Sequence, residues 1–110
     1  MKMLDKFGLK PKKMYIEVDG EKQEFYSKPI SYNLAVFIGN QQDDIIRQLT
    51  MIRHCLCDDQ DGSMTFPEDT PLEHIGDVFP FEVIGLMAAE IAKSSGPKAR
   101  EESIVKKPVS

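Results

Sequence analysis

The chain has 110 residues, 41% of them hydrophobic and 29% charged, and a formal net charge of −4 at pH 7. That length fits one domain rather than two. The mild acidity disfavours a nucleic-acid backbone, which needs a basic face, and an anionic membrane surface. No apolar run reaches the ~18 residues of a membrane span. Residues 1–13 lack the long apolar stretch of a secretory signal. A domain of this size leaves much of its surface wet, which favours a partner or a homo-oligomer.

The charge is uneven. Residues 97–110 hold Lys98, Arg100, Lys106 and Lys107 against Glu101 and Glu102, a balance of +2 that leaves −6 on residues 1–96. Such an end reads as a solvated, flexible C-terminal tail. The two cysteines, Cys55 and Cys57, stand two apart and are poorly placed for a structural disulfide. They point to a reducing, intracellular compartment.

In chain order, residues 1–13 are basic and mixed, broken by Gly8 and Pro11, and read as a flexible N-terminal arm. Residues 14–18 alternate as a strand does, Asp19-Gly20 is a two-residue turn signal, and residues 21–26 return as a second strand. Met14, Ile16 and Val18 share one face of that hairpin, and a two-residue turn sets Phe25 opposite Met14. Lys28-Pro29 ends the strand. Residues 30–38 fit two patterns. Ile30, Tyr32, Leu34, Val36 and Ile38 alternate as in a strand, yet Ser31 can cap a short helix that buries Leu34, Phe37 and Ile38. The helix is the preferred reading, ending near Gly39-Asn40.

Residues 43–56 are clearer. Ile45, Leu49, Ile52 and Leu56 recur on one helical face. Asp43 and Arg47 are four apart on the polar side and can pair. The helix stops at the acidic turn of residues 58–62, after which residues 63–66 form a short apolar return. Thr70-Pro71-Leu72-Glu73 reads as a capping box with proline at the first helical position. It opens a helix to about Asp77 that carries Leu72 and Ile75 inward. Pro80 opens the last helix, and Gly96-Pro97 stops it. That helix is apolar on most sides (Phe81, Val83, Ile84, Leu86, Met87, Ile91), with a stripe of small residues at Gly85, Ala89 and Ala92. A helix of this kind is central to a core, or is both core and interface.

The motifs for chemistry are weak. Setting Gly62 at the glycine of a calcium loop places Asp59, Asp61 and Glu68 at ligand positions. The first ligand position then falls on Cys57, unfit for a hard cation, and Pro67 blocks the exiting helix. A turn held by polar side chains is the better reading. Zinc normally needs four ligands, and His54, Cys55 and Cys57 have only His74 to add. A cysteine nucleophile needs a histidine in reach, whereas neighbours on a helix diverge by ~100°. No phosphate loop, serine elbow or dinucleotide fingerprint is present. Lys6, Lys10, Lys12 and Lys13 with Phe7 and Tyr15 could make a basic, aromatic arm of the kind that binds single strands. The acidic body disfavours that, and an arm that orders on a protein partner is preferred.

The residues 51–66, Met-Ile-Arg-His-Cys-Leu-Cys-Asp-Asp-Gln-Asp-Gly-Ser-Met-Thr-Phe, run from a helix through an acidic turn to an apolar return. An acidic capped helix and a final apolar, alanine-containing helix follow. This order resembles the tail assembly chaperones of long-tailed bacteriophages and related minor tail proteins. Asp61-Gly62 and Phe66 carry the match most directly, and it covers residues 14–96. The resemblance implies a non-catalytic protein of the host cytoplasm that coats the tape-measure protein, keeps it soluble, recruits tail-tube protein subunits and then leaves. It brings no catalytic residues. It also implies that the gene can yield a longer product by frameshifting, with Lys106-Lys107 as a pointer. The physics is compatible, since a long helical chain with apolar faces aggregates alone and can be held by an apolar helix.

The sequence therefore predicts an α+β fold, mostly helical, with an N-terminal β-hairpin and a second short return. One globular domain spans residues 14–96, flanked by the arm 1–13 and the tail 97–110. The expected activity is protein binding, with no enzyme, cofactor, metal, nucleic acid or membrane involved. Ile84, Met87 and Ile91 are the expected partner contacts, because the last helix has more apolar faces than a small core needs. A structural virion component, such as a head–tail joining or minor tail protein, and a small regulator that binds a host protein are the alternatives.

Overall fold

The computed structural model describes residues 8–95. The chain order is β1 (Lys12–Val18), β2 (Glu21–Ser27), α1 (Tyr32–Gly39), α2 (Asp44–Cys55), β3 (Leu56–Cys57), α3 (Leu72–Val78) and α4 (Phe81–Ser95). The fold is α+β and mostly helical, as the sequence predicts. Most of the expected arm, the expected tail and the Gly96-Pro97 stop lie outside the described residues. The strand begins at Lys12, two residues before the expected domain boundary.

The hairpin forms as its turn chemistry dictates. Asp19 and Gly20 have φ of 53° and 80°, the two positive values that a two-residue type I′ turn requires. The register pairs Met14 with Phe25 and Val18 with Glu21. Met14 and Ile16 are consequently buried while Tyr15 and Glu17 face outward.

Sequence patterning misses the third strand. The chain leaves α2 directly into β3, which pairs Tyr26 with Cys57 and Ser27 with Leu56 and completes a sheet of order β1-β2-β3. Two residues are too few for any period to register. Their pairing is reinforced by the amide of Lys28, which donates to the Cys55 carbonyl at 2.9 Å. Past the turn, Met64 bridges back to Cys57, so residues 63–66 are the expected short return. Phe66 ends it buried and meets Phe79 edge to face, with centroids 6.1 Å apart.

Helix α1 is the helical alternative for residues 30–38. Ser31 caps it, its hydroxyl accepting from the Leu34 amide at 3.1 Å. In helix α2 the expected ion pair is replaced by a cap. Asp43 accepts from the amides of Ile45 and Ile46, and the ion pair with Arg47 is made by Asp44 instead. The capping box also fails. The cap residue of α3 is Pro71, which has no side-chain bond to offer. Thr70 is buried beside it and presents its carbonyl to Arg53 Nη1 at 2.9 Å.

Two apolar clusters meet across α2 and α4. One gathers Ile16, Leu49, Ile52, Leu56, Phe66, Ile75, Ile84 and Met87. The other gathers Met14, Met51, Cys55, Ala88 and Ile91, with Ile30, Leu34 and Ile38 of the α1 region against it. Helix α4 packs on both α2 and β1. That central position explains why its sequence is apolar on most sides.

Candidate functional site

The three expected contact residues are core residues. Ile84, Met87 and Ile91 are all buried, Ile91 with 0% exposure, and they pack between β1 and α2. The expectation is corrected: a core that must serve a sheet and a helix at once uses the faces of α4 that looked surplus. The stripe of Gly85, Ala89 and Ala92 faces a shallow depression shared with Asp44, Arg47 and Gln48 of α2.

The apolar surface lies elsewhere. Helix α1 has the sequence Tyr-Asn-Leu-Ala-Val-Phe-Ile-Gly, yet none of its residues is buried. Tyr32 is 82% exposed, and Val36 and Phe37 are about half exposed. Leu34 and Ile38 touch the core only in part. Residues 32 and 36 share one face and 33 and 37 the next, so the exposed set forms a continuous stripe. The expectation that Phe37 is buried is therefore corrected. Ile45, expected on the buried face of α2, is 58% exposed. Burial in that helix begins only at Leu49. A separate apolar pair, Val78 and Phe81, stands exposed at the α3–α4 junction.

Beside the stripe lies a groove of about 570 Å³ between α1 and α2. Asn33, Leu34 and Phe37 form one wall, Thr50, Arg53 and His54 the other. Lys28, Pro29, Leu9 and Glu68 also line it. Thr50, Arg53 and His54 line up because residues three and four apart share a helix face. Two polar atoms here, Thr50 Oγ1 and Arg53 Nε, are closed off from solvent and have no hydrogen-bond partner among the described residues. Sequence reasoning missed this groove, since Thr50 and Arg53 look like ordinary helix residues until α1 is laid over them. Burial lowers the pKa of His54, helped by Arg53 and opposed by Glu68.

A second cleft, about 740 Å³, opens between the sheet and the start of α4. Its lining combines the apolar Phe25, Leu56, Phe79 and Val83 with the acidic Asp19, Glu21 and Asp58.

The motifs for chemistry resolve into structure. Asp59 Oδ1 accepts from the amides of Asp61 and Ser63 at 3.0 and 3.3 Å, and Asp58 Oδ1 accepts from Thr65 Oγ1 at 2.8 Å. The acidic stretch is thus a turn held by its own carboxylates. Among the described residues no group of three or more metal-ligating side chains converges. Burial pushes the Cys55 thiol up to about 12, with Cys57 adding to the shift, and burial also raises Cys57. Both shifts run against a thiolate nucleophile. In the basic arm, Lys13 pairs with Glu24 at 3.7 Å and lies 5.9 Å from the Tyr26 ring, while Lys22 stacks over Tyr15 at 4.7 Å. Lys6 and Phe7 lie outside the described residues. Among the described residues, no helix is long and apolar enough to cross a membrane.

No family model matches the chain, and no curated protein or solved structure matches it.

Proposed function

We propose that this chain is a non-catalytic binding domain that serves as a tail assembly chaperone, holding an apolar helical segment of a tape-measure protein during assembly of a phage tail in the host cytoplasm. The observation that carries the binding reading is α1, an apolar helix on the surface with no buried residue. Exposed apolar side chains that lie together mark interaction surfaces, and an amphipathic partner helix can lay its apolar face along such a stripe. Asp61-Gly62 and Phe66 support the tail-chaperone form of the reading. They sit where α2 runs through an acidic turn into an apolar return, ahead of two more helices, the order that the resemblance asks for. Many copies along one tape-measure chain need only modest affinity each, which also permits release.

Two observations test this reading. The gene should precede a long helical reading frame and overlap a second frame at its 3′ end. The protein should be missing from purified particles. Stoichiometric presence in the particle would make it a structural virion component instead. A gene set among host genes would favour a regulator of a host protein.

A further inference from the structure

Strand β1 is an edge of the sheet, and the phase of the hairpin decides what that edge offers. Residues along an antiparallel pair alternate between those that exchange hydrogen bonds with the partner strand and those whose N–H and C=O point away from it. On β2, Tyr26 pairs with Cys57 and the Lys28 amide donates to the Cys55 carbonyl at 2.9 Å, which turns residues 26 and 28 toward β3. Phe25 and Ser27 therefore bond to β1, through Met14 and Lys12. The same alternation gives Val18 and Glu21 their bonds at the two-residue turn. The backbone groups of Lys13, Tyr15 and Glu17 are left pointing out of the sheet, and among the described residues no strand pairs with them. The described residues that lead into β1 run elsewhere. Pro11 sits beside Gly62, and Leu9 lines the α1–α2 groove with Lys28 and Pro29. An open edge of this kind is a template for another strand.

The strand that fits this edge best is β1 itself. Its sequence, Lys12-Lys13-Met14-Tyr15-Ile16-Glu17-Val18, is self-complementary when run antiparallel about Tyr15. Lys13 then faces Glu17 of the second copy, Met14 faces Ile16, and Tyr15 meets its own counterpart. Outward-pointing residues meet outward-pointing residues, so each such pair can exchange two hydrogen bonds. The side chains match as well. Lys13, Tyr15 and Glu17 lie on the exposed face, and Met14 and Ile16 on the buried one, so each face continues across the axis. Lys13 reaches Glu24 of its own sheet at 3.7 Å but keeps 44% of its side chain exposed, open to a second carboxylate. A parallel arrangement would set Lys13 against Lys13 and Glu17 against Glu17. A one-residue slip would put buried residues opposite exposed ones, and a two-residue slip would lose the Lys13–Glu17 contacts. We propose that two copies of this chain associate about a two-fold axis through Tyr15, joining their β1 edges into one continuous antiparallel sheet. The proposal is independent of the apolar stripe on α1 and of the tail-chaperone reading.

The test uses the full chain. Amide hydrogen exchange followed by NMR, at high and at low protein concentration, should show protection of Lys13, Tyr15 and Glu17 that rises with concentration. Met14 and Ile16, already bonded to β2, should stay protected throughout. Sedimentation should show a dimer. Lys13→Glu and Glu17→Lys each set like charges across the axis, and each should raise the dissociation constant at least ~ten-fold. An equimolar mixture of the two variants restores opposite charges at both contacts and should dimerise as the wild type does, with thermal melts confirming that both variants are folded. The exchange measurement on the wild type decides the question even where a substitution unfolds the chain. A chain that stays monomeric up to ~1 mM, self-association of either single variant equal to that of the wild type, or a dimer whose Lys13, Tyr15 and Glu17 amides exchange as in the monomer would overturn the proposal.

Discussion

Arg53 Nη1 donates to the carbonyl of Thr70 at 2.9 Å, tying the end of α2 to the segment that enters α3. Thr70 is buried, so its carbonyl depends on a donor from within the protein, which Arg53 reaches across from α2 to supply. Removing the guanidinium should strand the carbonyl. Arg53→Ala is expected to destabilise the fold by about 1–3 kcal/mol. In urea denaturation this would appear as a lower midpoint with an unchanged slope.

The caps make a contrast. Asp43 satisfies two amides at the start of α2, so Asp43→Ala should cost about 1 kcal/mol. Thr70 does not cap α3 through its side chain, so Thr70→Val should change stability by less than about 0.5 kcal/mol. A larger loss at Thr70 than at Asp43 would mean that the expected capping box forms in solution.

Core and surface should separate cleanly. Ile91→Ala and Ile52→Ala remove fully buried side chains and should each cost about 2–5 kcal/mol. Tyr32→Glu lies on the open face of α1 and should leave the melting temperature nearly unchanged. Thermal melts of the three variants would check the assignment of α4 to the core and of α1 to the surface.

Those same assignments show what the sequence could convey. The hairpin was legible because Asp19-Gly20 and strict alternation act over two to seven residues. The Ser31 cap settled an ambiguity that alternation alone left open at residues 30–38. Helix α4 was read correctly as a helix, yet its partner face was misread. Periodicity reports that Ile84, Met87 and Ile91 are apolar, but not that both β1 and α2 cover them. Ile45 fits the period of α2 and is still exposed, because the buried part of that helix starts one turn later. The α1–α2 groove depends on residues 33–37 lying over residues 50–54, a tertiary relation with no local signature.

The thiols give a pH dependence. Cys55 is raised from 9.0 to about 12 by burial, and Cys57 is raised too. A folded pKa above the unfolded one means that the unfolded chain loses its proton first. The thiol contribution should then be constant below pH 9 and fall between about pH 9 and 12, by up to roughly 1.4 kcal/mol per pH unit for a fully shifted thiol. His54 is shifted the other way, downward. Its contribution is present above the ordinary histidine range and is lost as pH falls through it. Denaturation midpoints across pH, with Cys55→Ser and His54→Gln as references, would resolve the two. In the native state at pH 8 both thiols should react with iodoacetamide far more slowly than in urea.

The central claim is that the open apolar stripe of α1 holds a partner that would otherwise aggregate. The direct measurement is co-expression with a tape-measure protein, followed by assay of how much of that protein stays in solution. The wild-type chain should keep it soluble in a stable complex, and Tyr32→Glu with Val36→Glu should abolish this while the variant itself remains folded. Equal solubility with the wild type, with the folded double variant and with no chain at all would contradict it.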